Sequence, residues 1–188
     1  MKSSKIKGKT AFDERKKNMI REATPEDLEE ILNIYNDAII NTTAVYSYKP
    51  QTLEDRQAWF EQKKDEGYPI LVFERDNKVA GFATFGPFRA WPAYKYSIEH
   101  SVYVNKEYRK KGIGTALIKE LISIATEKEY KTFIAGIDAA NDKSIALHKS
   151  LGFVHSGTIK KAGYKFNRWL DLAFFQLELD GPNNPTEE

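Results

Sequence analysis

Cysteine is missing from the 188 residues, which excludes a disulfide framework, a thiol nucleophile and a cysteine-based metal site. Only three histidines occur, His100, His148 and His155, and none are spaced as in H-x-x-x-H, so no metal site is read from them. No apolar run approaches the roughly 20 residues that a spanning helix needs. A strong charge of either sign is lacking too, since 29 basic against 27 acidic residues leave +2. The first eighteen residues, MKSSKIKGKTAFDERKKN, hold seven basic and two acidic side chains, so the rest of the chain is slightly acidic at 22 against 25. That distribution argues against nucleic-acid binding, which calls for a basic patch on the folded body. The leader also lacks the apolar segment of a secretory signal. A soluble cytoplasmic protein without membrane contact is therefore expected. Residues 1–18 read as a disordered basic arm or an added segment, 19–180 as one folded unit, and 181–188 as a frayed tail.

What is present is a clear alternation of periods. After a short strand MIREA, Thr24 as N-cap, Pro25 at the first helical position and the acidic Glu26 and Asp27 predict a helix over 25–40. Its apolar stripe is Leu28, Ile31, Leu32, Tyr35, Ala38 and Ile39. A second helix is predicted near 53–66, with Trp59 and Phe60 inward and Gly67 at its end. PILVFER, VAGFATFGPF and YSIEHSVYVN then alternate with period two and read as three antiparallel strands, the first two joined by a turn at DNK. Helical spacing returns over 113–128, KTFIAGID is a strand, DKSIALHKSLGF a short helix closed by Gly152, and WLDLAFFQLEL a last strand. The order is thus strand, two helices, three strands, helix, strand, helix, strands.

YRKKGIGTAL, residues 108–117, places Arg109, Lys110 and Lys111 before Gly112 and Gly114 at the opening of a helix. Glycines there leave the unpartnered first amides and the positive dipole end open to an anion. By itself the stretch fits a phosphate cradle and an ordinary strand-to-helix turn equally well. No G-x-x-x-x-G-K-[ST] occurs, and no Rossmann arrangement of a third glycine with a downstream acidic partner.

R-x-x-G-x-G following a strand, SVYV, with NDKSIALHKSLGF thirty residues on, resembles the Gcn5-related N-acetyltransferase superfamily. IYNDAIINTTAVY, RQAWFEQKKDEGYPILVF, IEHSVYV, LHKSLGF and KFNRWLDLAFFQLELD together resemble its phosphinothricin and methionine sulfoximine/sulfone acetyltransferase branch over about residues 19–180. The resemblance implies an α/β (α+β) fold, a mixed and mostly antiparallel sheet flanked by about four helices. It implies acetyl-CoA as cosubstrate and no metal. Its pyrophosphate would lie on Arg109, Lys110, Lys111, Gly112, Ile113 and Gly114, its pantetheine along the backbone of Val102, Tyr103 and Val104 as a pseudo-strand, with Asn141 a further contact. A homodimer is also implied.

Transfer of acetyl from a thioester to an amine needs a neutral amine and a proton for the departing sulfur. Glu99 interrupts a strand-forming run, where a carboxylate is costly unless exposed, paired or used; the resemblance makes it the general base. His148 takes the place of a tyrosine that protonates sulfur in other members, and imidazole chemistry leaves acid, relay or structural residue open. His100 falls on the opposite strand face from Glu99 and reads as packing or surface. Arg89 is the candidate for a substrate carboxylate. Lys95, where relatives carry a second arginine, is another, while Phe88 and Trp91 would wall the substrate. Asn167 replaces a glycine of the family's GRWLD and tolerates left-handed geometry. The expected activity is N-acetylation of a small amino-acid-like amine. The alternatives are acetylation of a protein N-terminus or polyamine, or a non-catalytic acyl-CoA-binding module.

Overall fold

A computed structural model of the chain describes residues 18–187. Residues 1–17 of the expected basic leader lie outside the described residues, and Asn18 already belongs to the first strand. The elements are β1 (Asn18–Glu22), α1 (Leu28–Asn41), α2 (Leu53–Asp65), β2 (Ile70–Arg75), β3 (Lys78–Pro87), β4 (Ser97–Val104), α3 (Ile113–Glu127), β5 (Thr132–Asp138), α4 (Asp142–Ser150), β6 (Val154–Lys165) and β7 (Arg168–Glu178). The predicted order holds, and β6 supplies the penultimate strand that periodicity did not delimit.

Thr24 and Pro25 open a single 3-10 turn, with the α-helix proper starting at Leu28. Asp27 closes that turn: its carboxylate accepts from the Thr24 N–H at 2.8 Å and from both terminal nitrogens of Arg21 at 2.7 and 2.8 Å. The later start turns the stripe slightly, so Ile34 is fully buried where Leu32 was expected and Leu32 is only half-buried. Helix α2 buries Phe60 and, unexpectedly, Arg56. The Arg56 guanidinium lies 4.0 Å from the Tyr35 ring centre and 4.4 Å from that of Trp59, a stacking role open to guanidinium because it is weakly hydrated.

All seven strands form one sheet in the order β1-β2-β3-β4-β5-β7-β6. Every neighbouring pair is antiparallel except β4 and β5. Alternation splits the core between the two faces. Leu28, Ile31, Ile34 and Phe60 cover Ile70, Val72, Val79 and Phe82 on one; Ile113, Leu117, Ile118 and Leu121 cover Leu71, Ala83, Phe85, Ile98 and Phe133 on the other.

The parallel pairing of β4 with β5 is short. It runs from Ser97↔Thr132 to Glu99↔Ile134 and stops, although β4 continues to Val104 and β5 to Asp138. The strands part after Glu99, and the edge of β4 from His100 onward faces a cleft rather than a neighbour. Phe166 and Asn167 both take left-handed backbone, φ 51° and 57°, in the two-residue turn joining β6 to β7, so Asn167 does what its residue type permits. The described residues beyond β7, 179–187, have no regular secondary structure, yet the Thr186 N–H donates to Tyr96 Oη at 3.0 Å.

Candidate active site

Gly112 caps α3 with φ 78°, a left-handed conformation that explains a glycine there. Gly114 is under no such demand: a Cβ on it would meet Val104 and Leu147 side chains at 3.7 and 3.8 Å, ordinary contact. Only the first glycine is demanded by the backbone. The first-turn amides of α3 open on a cleft of about 520 Å³, lined by Val102, Tyr103, Val104, Arg109, Lys110, Gly112, Ile113, Gly114 and Asn141 among others. Nine of the ten expected cofactor residues are therefore brought together. Lys111 is the exception: its Nζ donates to the Glu107 carbonyl at 3.2 Å and lies 5.0 Å from the Tyr108 ring centre, outside that lining. Arg109 Nη2 sits 3.3 Å from Asp37 Oδ2, and Arg109 Nε donates to the Val104 carbonyl, so the guanidinium is held beside the free edge of β4.

A second cleft of about 270 Å³ adjoins the first, sharing Val102, Tyr103, Asn141 and Ser144 with it, and is lined also by Glu99, His100, Gly136, Asp138, His148 and Tyr46. Glu99 is the last β4 residue paired to β5. Burial raises its pKa above the ordinary carboxylate value, and the charge of nearby Arg89 works in the lowering direction. Such a group holds a proton more readily than an exposed glutamate.

His148 projects from α4 and is buried, as is His100. Alternation along β4 sends His100 to the face opposite Glu99, as expected, and there it meets His148, their Nε2 atoms 3.1 Å apart. Asn141 caps α4, its Oδ1 accepting from the Ser144 N–H at 3.2 Å. Desolvation lowers the pKa of both imidazoles, pushing that of His100 down to about 3.

The expected substrate residues divide. Arg89 lies over the Phe88 ring, 4.2 Å from its centre, outside the lining of the Glu99 cleft but with its charge within electrostatic reach of Glu99. Phe88 and Trp91 do not line the Glu99 cleft: Phe88 packs edge-on against Tyr94 and Phe174, and Trp91 is 75% exposed. Lys95 donates to Thr186 Oγ1 at 3.1 Å, away from that cleft. The wall is built instead from the loop between α1 and α2. Thr43 Oγ1 donates to Asp138 Oδ2 at 2.6 Å, and Arg168 Nη2 approaches the same oxygen at 3.0 Å. Lys165 Nζ donates to the carbonyls of Ile39, Thr42 and Val45 at 2.6, 2.9 and 2.7 Å, fastening that loop to the β6–β7 hairpin.

A cleft at the start of α3, a free β4 edge beside it and a buried carboxyl where that edge begins adjoin one another. The chain matches the acetyltransferase (GNAT) domain over residues 20–174 and belongs to that family. It is an N-acetyltransferase by that membership and by the relatives that share its length. The L-methionine sulfoximine/L-methionine sulfone acetyltransferase of Pseudomonas aeruginosa is 45% identical over 162 residues, 86% of this chain and 94% of that protein. An N-acetyltransferase structure from Staphylococcus aureus is 58% identical with a TM-score of 0.86, covering 87% of this chain and 99% of that one. A phosphinothricin acetyltransferase from Sinorhizobium meliloti, solved in complex with acetyl-CoA, is 37% identical with a TM-score of 0.87, covering 91% and 94%.

Proposed function

We propose that the protein moves the acetyl group of acetyl-CoA to the amino group of a small amino acid of the methionine sulfoximine, methionine sulfone or phosphinothricin type. The carrying observation is the parting of β4 from β5 immediately after Glu99, which opens the α3 cradle directly onto a raised carboxyl group. The amides of Gly112, Ile113 and Gly114, with Arg109 and Lys110, hold the pyrophosphate. The β4 edge at Val102, Tyr103 and Val104 receives the pantetheine amides, and Asn141 contacts the arm where the clefts meet.

Glu99 takes a proton from the ammonium group; the freed nitrogen attacks the thioester carbonyl; the C–N bond forms as the C–S bond breaks. Sulfur leaves with the electron pair and must be protonated, and His148 supplies that end of the reaction. Arg89, beside Glu99, binds the substrate carboxylate and so fixes the amino group against the base. The same reading takes the protein as a homodimer, supported by exposed Trp91, Tyr164, Phe166 and Trp169, and sedimentation equilibrium checks it.

The test is steady-state thiol release with acetyl-CoA across free amino-acid analogues, polyamines and N-terminal peptides. Turnover concentrated on methionine sulfoximine, methionine sulfone or phosphinothricin is expected. Activity confined to peptides or polyamines overturns the substrate class, and acetyl-CoA binding without turnover of any amine overturns the catalytic reading.

A further inference from the structure

The four ring nitrogens of the two buried imidazoles make three contacts of 3.1 Å or less, besides a longer one of 3.4 Å between His148 Nδ1 and Ser144 Oγ. His100 Nδ1 lies 2.9 Å from the Ile134 carbonyl, His148 Nδ1 2.7 Å from the Ser144 carbonyl, and the Nε2 atoms face each other at 3.1 Å. A carbonyl oxygen only accepts, so each of the first two contacts needs a proton on Nδ1, and the third needs one on either Nε2. Two neutral imidazoles carry two protons. Whatever tautomers are chosen, a neutral pair leaves one contact in which two lone pairs meet, and a third proton completes all three bonds.

From this geometry we infer that His100 and His148 form a single proton-holding unit, and that its third proton is the one delivered to the departing sulfur. The inference rests on the acetyl-transfer reading and adds His100, which is a positioning residue acting through His148. The outlet is Ser144. Its hydroxyl lies 3.4 Å from His148 Nδ1, and its side chain borders both clefts. As the C–S bond breaks, the Ser144 hydroxyl gives its proton to the thiolate and takes the one on His148 Nδ1. The proton between the rings settles on His148 Nε2 and is donated to His100. The unit then holds two protons, with Ser144 Oγ donating to the bare Nδ1. Of the two protons the substrate nitrogen loses, one restores the unit and one leaves with solvent, so the reaction balances.

Burial lowers the proton affinity of both rings, so the surroundings oppose the first charge and resist the second more strongly. Facing the pair are the Ile134 carbonyl and the Phe133 ring from β5, Ser144 from α4, and the Phe153 ring beyond it. The carboxylates bordering the same cleft are Glu99 on β4 and Asp138 at the end of β5, with Tyr46 across it. Burial lowers the proton affinity of both imidazoles, and a charge on His148 lowers that of His100 further, so the pair takes up one proton before two. Uptake of a single charge is opposed by burial and favoured by the hydrogen bond it creates.

Histidine 15N spectra of the full-length protein across pH, without substrate, test the unit directly. His100 and His148 are expected to respond together in one one-proton step, with both Nδ1 atoms protonated below it. Separate titrations, or a fixed neutral tautomer pair throughout the pH range of the folded protein, would overturn the inference. His100→Gln supplies a permanent amide donor to His148 Nε2 and keeps the packing while removing the shared proton. Its kcat should fall about 100-fold, with an unchanged KM for acetyl-CoA and loss of the corresponding limb of the pH profile; wild-type kcat and profile would overturn the role. The spectra read the pair even if no amine is turned over, so failure of the activity is distinguishable from failure of the relay.

Discussion

Glu99 and Gly136 occupy one space across the parting strands: a Cβ built on Gly136 would stand 2.8 Å from Glu99 Oε1. Strand β5 thus lacks a side chain where β4 sets down its carboxylate, and the space for Glu99 is made by an omission on the neighbouring strand. Gly136→Ala is expected to push the Glu99 carboxylate aside and lower kcat at least tenfold, a loss on the scale of a misplaced base. Acetyl-CoA affinity by calorimetry should stay within about twofold, because no phosphate contact changes.

Glu99→Gln keeps the shape and removes the base. Turnover should drop by about 10²–10⁴-fold with acetyl-CoA affinity preserved. Equal losses in turnover and affinity would move the base elsewhere.

Arg89 has two effects that separate by pH. Because burial holds the Glu99 pKa above its ordinary value, kcat/KM should fall as pH drops through that raised value and the base becomes protonated. Arg89 works in the lowering direction, so Arg89→Ala should move this limb to higher pH while raising KM for the amino acid. Arg89→Lys should leave the limb near its wild-type position but still raise KM, since the two-pronged carboxylate contact is lost.

The two glycines of the cradle should behave differently. Gly112→Ala forces a side chain into left-handed backbone and is expected to destabilise the fold by about 1–2 kcal/mol, read as a lower denaturation midpoint, with weaker coenzyme A binding. Gly114→Ala should leave both nearly unchanged, given its ordinary contacts at 3.7 and 3.8 Å.

Lys165→Met removes the ammonium shared by the Ile39 carbonyl at the end of α1 and the Thr42 and Val45 carbonyls of the α1–α2 loop. The loop should become the first site of limited proteolysis, and KM for the amine should rise severalfold while coenzyme A binding holds. Proteolysis at wild-type rate would show that the loop is held by other contacts.

Much of this architecture is legible in the chain because local physics decides it. Periodicity gives the helices and most strands, and the charged glycine turn marks the start of α3. Other features depend on partners distant in sequence. His100 reads as packing because nothing adjacent shows that α4 lays His148 against it, 48 residues away. Phe88 and Trp91 read as substrate contacts because they flank Arg89 in sequence, and Lys95 because relatives carry a second arginine there, yet the folded chain keeps all three outside the lining of the Glu99 cleft. Gly136 carried a faint signal, a glycine inside a strand, but its reason is a carboxylate on the neighbouring strand.

Sequence by itself determined most of the elements, the glycine turn that opens α3 and the family resemblance, since backbone preference and hydrophobic period act over a few residues. Tertiary structure alone decided where β4 leaves β5, which carboxyl group becomes buried there and which two imidazoles share a contact. Those outcomes depend on desolvation and on distances between segments far apart in the chain, and neither exists until the sheet has closed around its core.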